Sequence, residues 1–245
     1  MATADRRDEL DDDDRALLAL FAAIAARDAA EVAHWLESGH GLASRPIRVG
    51  ATRSAPDRFF LTAIRHYVYA GDTALHIAAA AHQRAFAGSF VDGGAVVRAR
   101  NRRGAEPLHY AADGSPGASW WDPAAQCDVV TYLIDAGADP NAFDNSGVAP
   151  LHRAVRSRCS RAVGALIDNG ADPRLMNRSG STPLHLAVQN TGKSDSGSDA
   201  AKDQQALIIA VLLGHGARPT DVDAKGRTVE TAASSDGIRN LLGTR

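Results

Sequence analysis

The chain has 245 residues, of which 44% are hydrophobic, 23% are charged and only 5% are aromatic. Its formal net charge of -2 gives no reason to expect general binding to nucleic acid or to an anionic membrane. No run of about 18 apolar residues occurs, so the sequence predicts no membrane-spanning helix.

The first fourteen residues form an acidic segment. They carry seven carboxylates and two arginines, a net charge of -5, so the rest of the chain carries +3 (-2 minus -5). This composition is typical of a solvated, disordered tail over residues 1–14. Two alternatives remain: an arm that contacts a partner, or a segment that lies on basic loops of the same chain and regulates access to them.

Two features bear on cellular location. Residues 2–14 contain no apolar stretch, so no signal peptide is expected. The chain has two cysteines, Cys127 and Cys159, and this usage predicts reduced thiols rather than a disulfide. We therefore expect an intracellular, cytoplasmic protein, and its abundant Ala, Arg, Asp and Gly are compatible with a bacterial source.

Two amphipathic helices are predicted over residues 15–39, separated near Arg27 and Asp28. The segment that follows, 40–70, is rich in arginine and aromatic residues. It has too many apolar side chains for a solvated loop. We expect part of it to form a short helix around Arg58 to His66 that packs on the neighbouring units.

A short motif recurs along the rest of the chain. It reads GDTALH at 71–76, GAEPLH at 104–109, GVAPLH at 147–152 and GSTPLH at 180–185, with a degraded copy, GRTVET, at 226–231. The histidines His76 and His109 are 33 residues apart, as are His152 and His185, whereas 43 residues separate His109 from His152. Such internal similarity is typical of repeat architectures.

A second motif, a helix that ends at a glycine, precedes each copy after the first. Its glycine and the glycine of the next copy are always ten residues apart, at 94/104, 137/147, 170/180 and 216/226. Apolar residues at i, i+3 and i+4, such as Val163, Leu166 and Ile167, give one stripe per helix. Each stripe needs a neighbouring unit to cover it, so the units are expected to stack.

These motifs resemble the ankyrin repeat, whose period is 33 residues and whose signature is T-P-L-H-x-A. The resemblance extends from about Arg15 to the C-terminus. It implies an all-α fold in which units of two antiparallel helices, joined by β-hairpin loops, stack into a curved solenoid. We count about six helix-turn-helix units, of which the first and the last are atypical.

The resulting domain prediction is an ankyrin-repeat domain over residues 15–245. Its units cover about 15–39, 72–101, 105–144, 148–177, 181–223 and 227–245. Three insertions interrupt the period, at 40–70, 113–126 and 190–203. Departures from a repeat are where the function of an individual protein is most often located.

The Thr182 and His185 pair could be read as a nucleophile and a base. Catalysis would require a third orienting group and an oxyanion site, all in a single copy, whereas this motif recurs. A hydroxyl before a helix that starts with proline is what helix capping requires. We therefore interpret the repeated histidines as structural. The resemblance implies that they hydrogen-bond around the turn and link neighbouring units.

Five further histidines lie outside the motif. A metal site assembled from His40, His66 and His82 is conceivable, because imidazole ligands can be distant in sequence. The spacing matches no recognised ligand pattern, so ordinary surface or packing histidines are favoured. No metal, cofactor or catalytic residue is predicted.

Two tryptophans, Trp120 and Trp121, stand in a loop rich in Gly, Pro and Ser. Tryptophan is enriched at interface hot spots because it buries a large area at small entropic cost. The alternative is that the rings fold back onto the helices of the same chain. Both interpretations stay open.

The resemblance implies a protein-protein interaction module that binds through its hairpin tips and the concave face of its inner helices. We also expect a monomer that binds neither nucleic acid nor membrane. The positions that match this surface, together with the two tryptophans, are Arg102, Arg103, Asn145, Ser146, Arg156, Arg178, Ser179, Gln189, Asn190, Lys225, Arg227, Trp120 and Trp121. Three of the four tips carry Lys or Arg, which favours a partner with an acidic surface. A solvated rim is the alternative explanation of these charges.

A small-molecule-binding protein or an enzyme is the alternative function. Its site would lie at the 40–70 insertion and use Arg65, His66, Tyr67, Tyr69 and His82. No phosphate-binding loop, metal motif or paired carboxylates support it. A deep pocket containing these side chains would favour chemistry over protein binding.

Overall fold

A computed structural model describes residues 10–37, 41–53, 56–191 and 197–243. Within these ranges the chain forms twelve α-helices. They are α1 (Asp12–Ala26), α2 (Ala29–Glu37), α3 (Ala74–Ala80), α4 (Arg84–Asp92), α5 (Pro107–Ala112), α6 (Pro123–Asp135), α7 (Pro150–Arg156), α8 (Ser160–Asp168), α9 (Pro183–Ala187), α10 (Asp199–Gly214), α11 (Val229–Ala232) and α12 (Asp236–Leu241). One antiparallel pair of short strands, β1 (Phe60–Leu61) and β2 (His66–Tyr67), lies in the 40–70 segment.

The helices stack in two layers. The inner helices α1, α3, α5, α7, α9 and α11 each contact the next member of that series, and the outer helices from α4 to α12 do the same. One hydrophobic core runs through both layers and is built largely from Ala, Leu, Val and Ile. Small side chains allow the close approach of neighbouring helices. The prediction of an all-α repeat solenoid is confirmed.

The predicted unit ranges each contain two helices, from α1 and α2 in 15–39 to α11 and α12 in 227–245. The exact boundaries of the units stay a prediction. Two of the inserted loops are shorter than 113–126 and 190–203, because α6 already begins at Pro123 and α10 at Asp199. Residues 192–196 lie outside the described part of the chain.

The predicted tail over residues 1–14 is wrong at its C-terminal end. Residues 1–9 lie outside the described ranges, but Asp11 caps α1 by accepting the Asp14 N–H at 2.9 Å, and Asp12–Asp14 form the first helical turn. Carboxylates there complement the helix dipole. Asp14 is buried and accepts the Arg48 N–H at 3.2 Å. The acidic residues 11–14 therefore pair with the 40–70 segment and belong to the folded domain.

The prediction of one short helix around Arg58 to His66 is also wrong. The segment forms two single turns of 3-10 helix, Asp57–Phe59 and Thr62–Ile64, and the strands β1 and β2, with Phe60 opposite Tyr67. Arg65 adopts a left-handed conformation (φ 51°), which ends the helical turn before β2. The backbone hydrogen bonds instead join the two sides of the hairpin. The Val68 N–H, for example, donates to the Phe59 carbonyl at 2.8 Å.

This hairpin still packs as expected. Phe59, Ile64 and Val68 are buried in the common core, and the hairpin contacts α1. Among the described residues, none of the helices combines the length and the apolar character needed to cross a bilayer.

Candidate functional site

Three of the four motif histidines link consecutive units. In His109, Nδ1 accepts the Glu106 N–H at 3.1 Å, so the proton lies on Nε2, which donates to the Val148 carbonyl of the next unit at 3.1 Å. Equivalent Nε2 contacts join His76 to the Ala105 carbonyl (3.1 Å) and His185 to the Arg227 carbonyl (3.1 Å), whereas His152 contacts the Leu175 carbonyl of its own unit (3.0 Å). The structural interpretation of these histidines is confirmed.

Burial keeps the rings of His76, His109 and His152 neutral. It lowers the pKa of His109 to about 4, with a further lowering from the charge of Arg153. It also lowers the pKa values of His76 and His152. Such rings act as fixed hydrogen-bonding groups near neutral pH, which suits a structural role rather than proton transfer.

A second repeated set of polar residues, which sequence analysis missed, holds the hairpin tips. The Asn177 Oδ1 atom accepts the N–H groups of Ser179 and Ser181 at 2.9 and 3.0 Å, and its carbonyl accepts the Gly180 N–H at 2.8 Å. Asn101, Asp144 and Asp223 make the same contacts in their hairpins. The available signal was a polar residue three positions before each tip glycine.

Neighbouring tips are also bonded to one another. The Asn145 N–H donates to the Arg103 carbonyl at 2.8 Å, and the Arg178 N–H donates to the Gly147 carbonyl at 3.0 Å. Gly104 (φ 70°) permits this approach, because a Cβ there would lie 2.3 Å from the Asn145 Oδ1 atom. The tips therefore present their side chains on a fixed backbone.

The predicted tip residues differ in how far their side chains are already engaged. Arg102 donates to the Ala51 carbonyl, and the guanidinium groups of Arg102 and Arg103 lie 5.5 and 4.7 Å from the centre of the Tyr69 ring. Arg227 pairs with Asp223 at 2.8 Å.

Other predicted tip positions are open. Asn145, Ser146, Arg178, Ser179 and Lys225 are all exposed. Within the described ranges, the side chains of Arg178 and Lys225 make no ion pair. These tips can therefore offer both charge and hydrogen bonds to a partner.

The inner-helix residues Arg156, Gln189 and Asn190 are exposed at the ends of α7 and α9. Gln189 donates back to the His185 carbonyl at 3.0 Å. Beside them, Arg153 bridges two carboxylates, Asp113 at 2.8 Å and Asp144 at 2.9 Å.

This bridge fixes the charge of Asp144. Burial acts to raise the pKa of that carboxyl, but hydrogen bonds from Arg153 and from backbone N–H groups outweigh it and lower the pKa. Both carboxylates at this point of the inner surface are thus neutralised by the chain itself.

Trp120 and Trp121 are both half-buried and pack against the core. The Trp120 ring stacks on His82 with 6.5 Å between centroids, and Trp121 donates from Nε1 to the Gln126 Oε1 atom at 3.0 Å. These contacts support the self-packing interpretation. A partner contact by either ring stays a prediction.

The five residues of the alternative small-molecule site have separate surroundings. His66 lies 4.4 Å from the Tyr110 ring, Tyr67 contacts the Phe60 ring at a tilt of 48°, and Tyr69 lies under the two tip arginines. His82 instead faces the carbonyls of Ala111 and Asp113 at 3.2 and 3.1 Å. Arg65 is exposed beside the loop 115–118.

Burial also keeps the imidazole rings of His66 and His82 uncharged near neutral pH. It lowers the pKa of His66 to about 3 and that of His82 to about 4. His40 lies outside the described residues. In the part of the chain that the structure covers, no group of three or more His, Cys, Asp or Glu side chains is arranged to hold a metal ion.

On the surface formed by the hairpins and inner helices, several buried carboxylates are paired with arginines, whereas several exposed cations are unpaired among the described residues. The buried carboxylates Glu106, Asp144, Asp221 and Asp223 each pair with an arginine. Exposed cations whose side chains make no ion pair with any described residue include Arg65, Arg103, Arg156, Arg178 and Lys225. The surface is therefore net positive although the whole chain carries -2.

Stacked two-helix units with bonded hairpins define a helical repeat protein of the solenoid class. Residues 122–197 match the family model of ankyrin repeats in 3 copies. Over these residues the chain consists of ankyrin repeats, as the motifs predicted. None of the curated proteins compared with the chain matches it.

Proposed function

We propose that this protein is a non-enzymatic interaction module that binds an acidic surface of a protein partner through its hairpin tips and inner-helix ends. Ankyrin repeats generally act as protein-protein interaction modules. The observation that carries the acidic partner is the set of exposed, unpaired cations on a surface whose buried carboxylates are already paired with arginines. Guanidinium groups there can meet partner carboxylates without first breaking an internal ion pair.

Arg103, Arg156 and Arg178 are the side chains that we assign to this contact. They come from three different units, and the hydrogen-bonded tips fix the backbone of Arg103 and Arg178. A fixed backbone reduces the entropy that binding must overcome. Ser146, Ser179, Gln189 and Asn190 supply uncharged hydrogen-bonding groups beside them.

The test is affinity capture from a cell extract, identification of the partner by mass spectrometry, and titration of the purified pair. Replacing the three arginines by glutamine is expected to weaken binding by at least about tenfold. Raising the salt concentration from about 50 mM to about 300 mM should weaken the wild-type protein more than the variant.

A matched control uses an arginine elsewhere. Arg161 is exposed on α8, an outer helix, so Arg161→Gln should leave the affinity unchanged where Arg178→Gln lowers it. Equal affinity of wild type and triple variant, or binding that does not respond to salt, would remove the acidic partner from the proposal.

The remaining parts of the proposal concern the oligomeric state, the cellular location and the classes of partner that are not bound. We propose a cytoplasmic monomer that binds neither nucleic acid nor membrane, in line with the overall charge of -2. Sedimentation of the purified chain tests the monomer directly.

A further inference from the structure

Three apolar side chains stand exposed at the same position of three consecutive hairpins. Phe143, Met176 and Val222 each lie six residues after the glycine that ends the outer helix of their unit, and they are 38%, 47% and 46% exposed. We call these three residues the apolar row. At the equivalent position of the preceding hairpin stands Arg100, which extends the row with a cation.

The backbone of the apolar row is fixed. Each member directly precedes the polar residue that holds its hairpin tip, namely Asp144, Asn177 or Asp223. The Phe143 carbonyl also accepts a hydrogen bond from the Arg100 guanidinium. The exposure of these side chains is therefore a property of an ordered surface.

The apolar row calls for an explanation because it repeats. Single exposed apolar residues are ordinary on protein surfaces. Here, however, the same position is apolar in three hairpins in succession. Met176 and Val222 also line a shared cleft of about 400 Å³, with Arg174, Arg218 and Thr220 around it.

The spacing of the row indicates what can cover it. Packed helices lie about 8–10 Å apart, so equivalent residues of neighbouring units are separated by about that distance. An α-helix presents the same face every seven residues, a rise of about 10.5 Å. Side chains on one face of a strand recur at about 6.7 Å, which does not match.

Arg100 places a positive charge at one end of the apolar row and so gives the row a direction. Arg100 donates to the Gly104 carbonyl at 3.1 Å and to the Phe143 carbonyl, and it makes no ion pair within the described ranges. A carboxylate one heptad beyond the apolar positions would meet this guanidinium. The side chain of Arg218, at the rim of the cleft, likewise makes no ion pair with a described residue.

We propose that the apolar row docks an amphipathic helix of a protein partner, with apolar residues at i, i+7 and i+14 and a carboxylate one heptad beyond the residue that faces Phe143. This inference rests on the proposed function for the existence of a protein partner. It assigns the apolar contact to a row of side chains distinct from the basic tips.

The experiment uses the full chain as bait for a yeast-displayed library of helical peptides of about 28 residues, long enough for four heptad positions. One face of each peptide is randomised. Enriched peptides are expected to carry apolar residues at heptad spacing with Asp or Glu at one end. Their dissociation constants should rise about tenfold with Met176→Gln and further with the Phe143, Met176 and Val222 triple Gln variant.

Leu207→Gln is the matched control, since Leu207 is 51% exposed on α10 and outside the hairpins. It should leave every enriched peptide bound as tightly as before. Unchanged circular dichroism of all variants establishes that they fold, which the exposure of the replaced side chains leads us to expect.

Two results would overturn the proposal: enriched peptides without heptad spacing, or peptides that bind the triple Gln variant as tightly as wild type. If the dissociation constants of such peptides change only when Arg103, Arg156 and Arg178 are replaced, docking on the apolar row is refuted while the proposed function stands. If the selection enriches nothing and affinity capture finds no partner, both fail.

Discussion

Lowering the pH from about 7 to about 5 is expected to destabilise the stack through its buried histidines, and His109 allows the effect to be isolated. Its pKa is about 4 in the folded protein, against 6.5 for an unperturbed histidine. Burial is the main cause, and the nearby Arg153 charge adds to it. Because the folded pKa lies below the unfolded one, protons bind the unfolded chain preferentially as the pH falls from 6.5 towards 4.

The magnitude follows from the difference in proton binding. Over that window the stability falls by about 1.4 kcal/mol per pH unit for each such histidine. Between pH 6.5 and pH 5 the loss from His109 is thus about 2 kcal/mol, a large part of a typical total of about 5–15 kcal/mol. The lowered pKa values of His66 and His82 act in the same direction.

The assay is urea denaturation at the two pH values, followed by circular dichroism, for wild type and His109→Gln. A glutamine side chain can accept the Glu106 N–H and donate to the Val148 carbonyl without titrating. The pH-dependent loss of the variant should be smaller than that of wild type by about 2 kcal/mol. The comparison cancels carboxylate titrations common to both proteins, and equal losses would refute the reasoning.

Three further predictions concern stability and reactivity. Gly104→Ala should cost about 2–4 kcal/mol by urea denaturation, because the new Cβ meets Asn145 at 2.3 Å, whereas Gly226→Ala, with φ 73° and no atom within 4 Å, should cost only the left-handed strain of about 1 kcal/mol. Arg153→Met should destabilise by about 3 kcal/mol, because it leaves two carboxylates without their bridging cation; a loss under about 1 kcal/mol would contradict this. Cys159 should react with a thiol reagent far more slowly than Cys127, since it is 1% exposed and burial raises its pKa to about 11; equal rates would contradict the placement of Cys159.

The repeated parts of the fold could be predicted because the same local sequence motif occurs in successive units. A glycine, a polar cap, a proline and a histidine recur at fixed spacing, and one chain supplies several independent copies. His185 alone would have permitted a catalytic interpretation. Its three counterparts removed that interpretation before any geometry was known.

The 40–70 segment was harder because its structure depends on distant residues. Asp14 accepts the Arg48 N–H across 34 positions of sequence. Read locally, the acidic run resembles a tail, and the apolar run near Phe59 resembles a helix. Only the contacts between the two segments and α1 determine that the first is folded and the second is a hairpin.

The apolar row was missed for a different reason. An apolar residue in a hairpin, such as Met176, is usually interpreted as core, and sequence does not specify which side of a two-residue turn faces solvent. The row becomes visible only when exposure is compared at equivalent positions of successive units. The polar residues that hold the hairpin tips, such as Asn177, escaped notice because asparagine and aspartate are common in any turn.

Contacts within the chain decide which predicted positions are open to a partner. At the N-terminal end, the Arg102 guanidinium is engaged by the Ala51 carbonyl, and His66 lies 4.4 Å from the Tyr110 ring of α5. The 40–70 segment therefore already contacts the tip of one unit and the inner helix of the next. Towards the C-terminal end, Arg178 and Met176 have no such cover among the described residues. Because the later units keep both their cations and their apolar side chains exposed, we place the centre of the partner surface there, and the 40–70 insertion limits its extent.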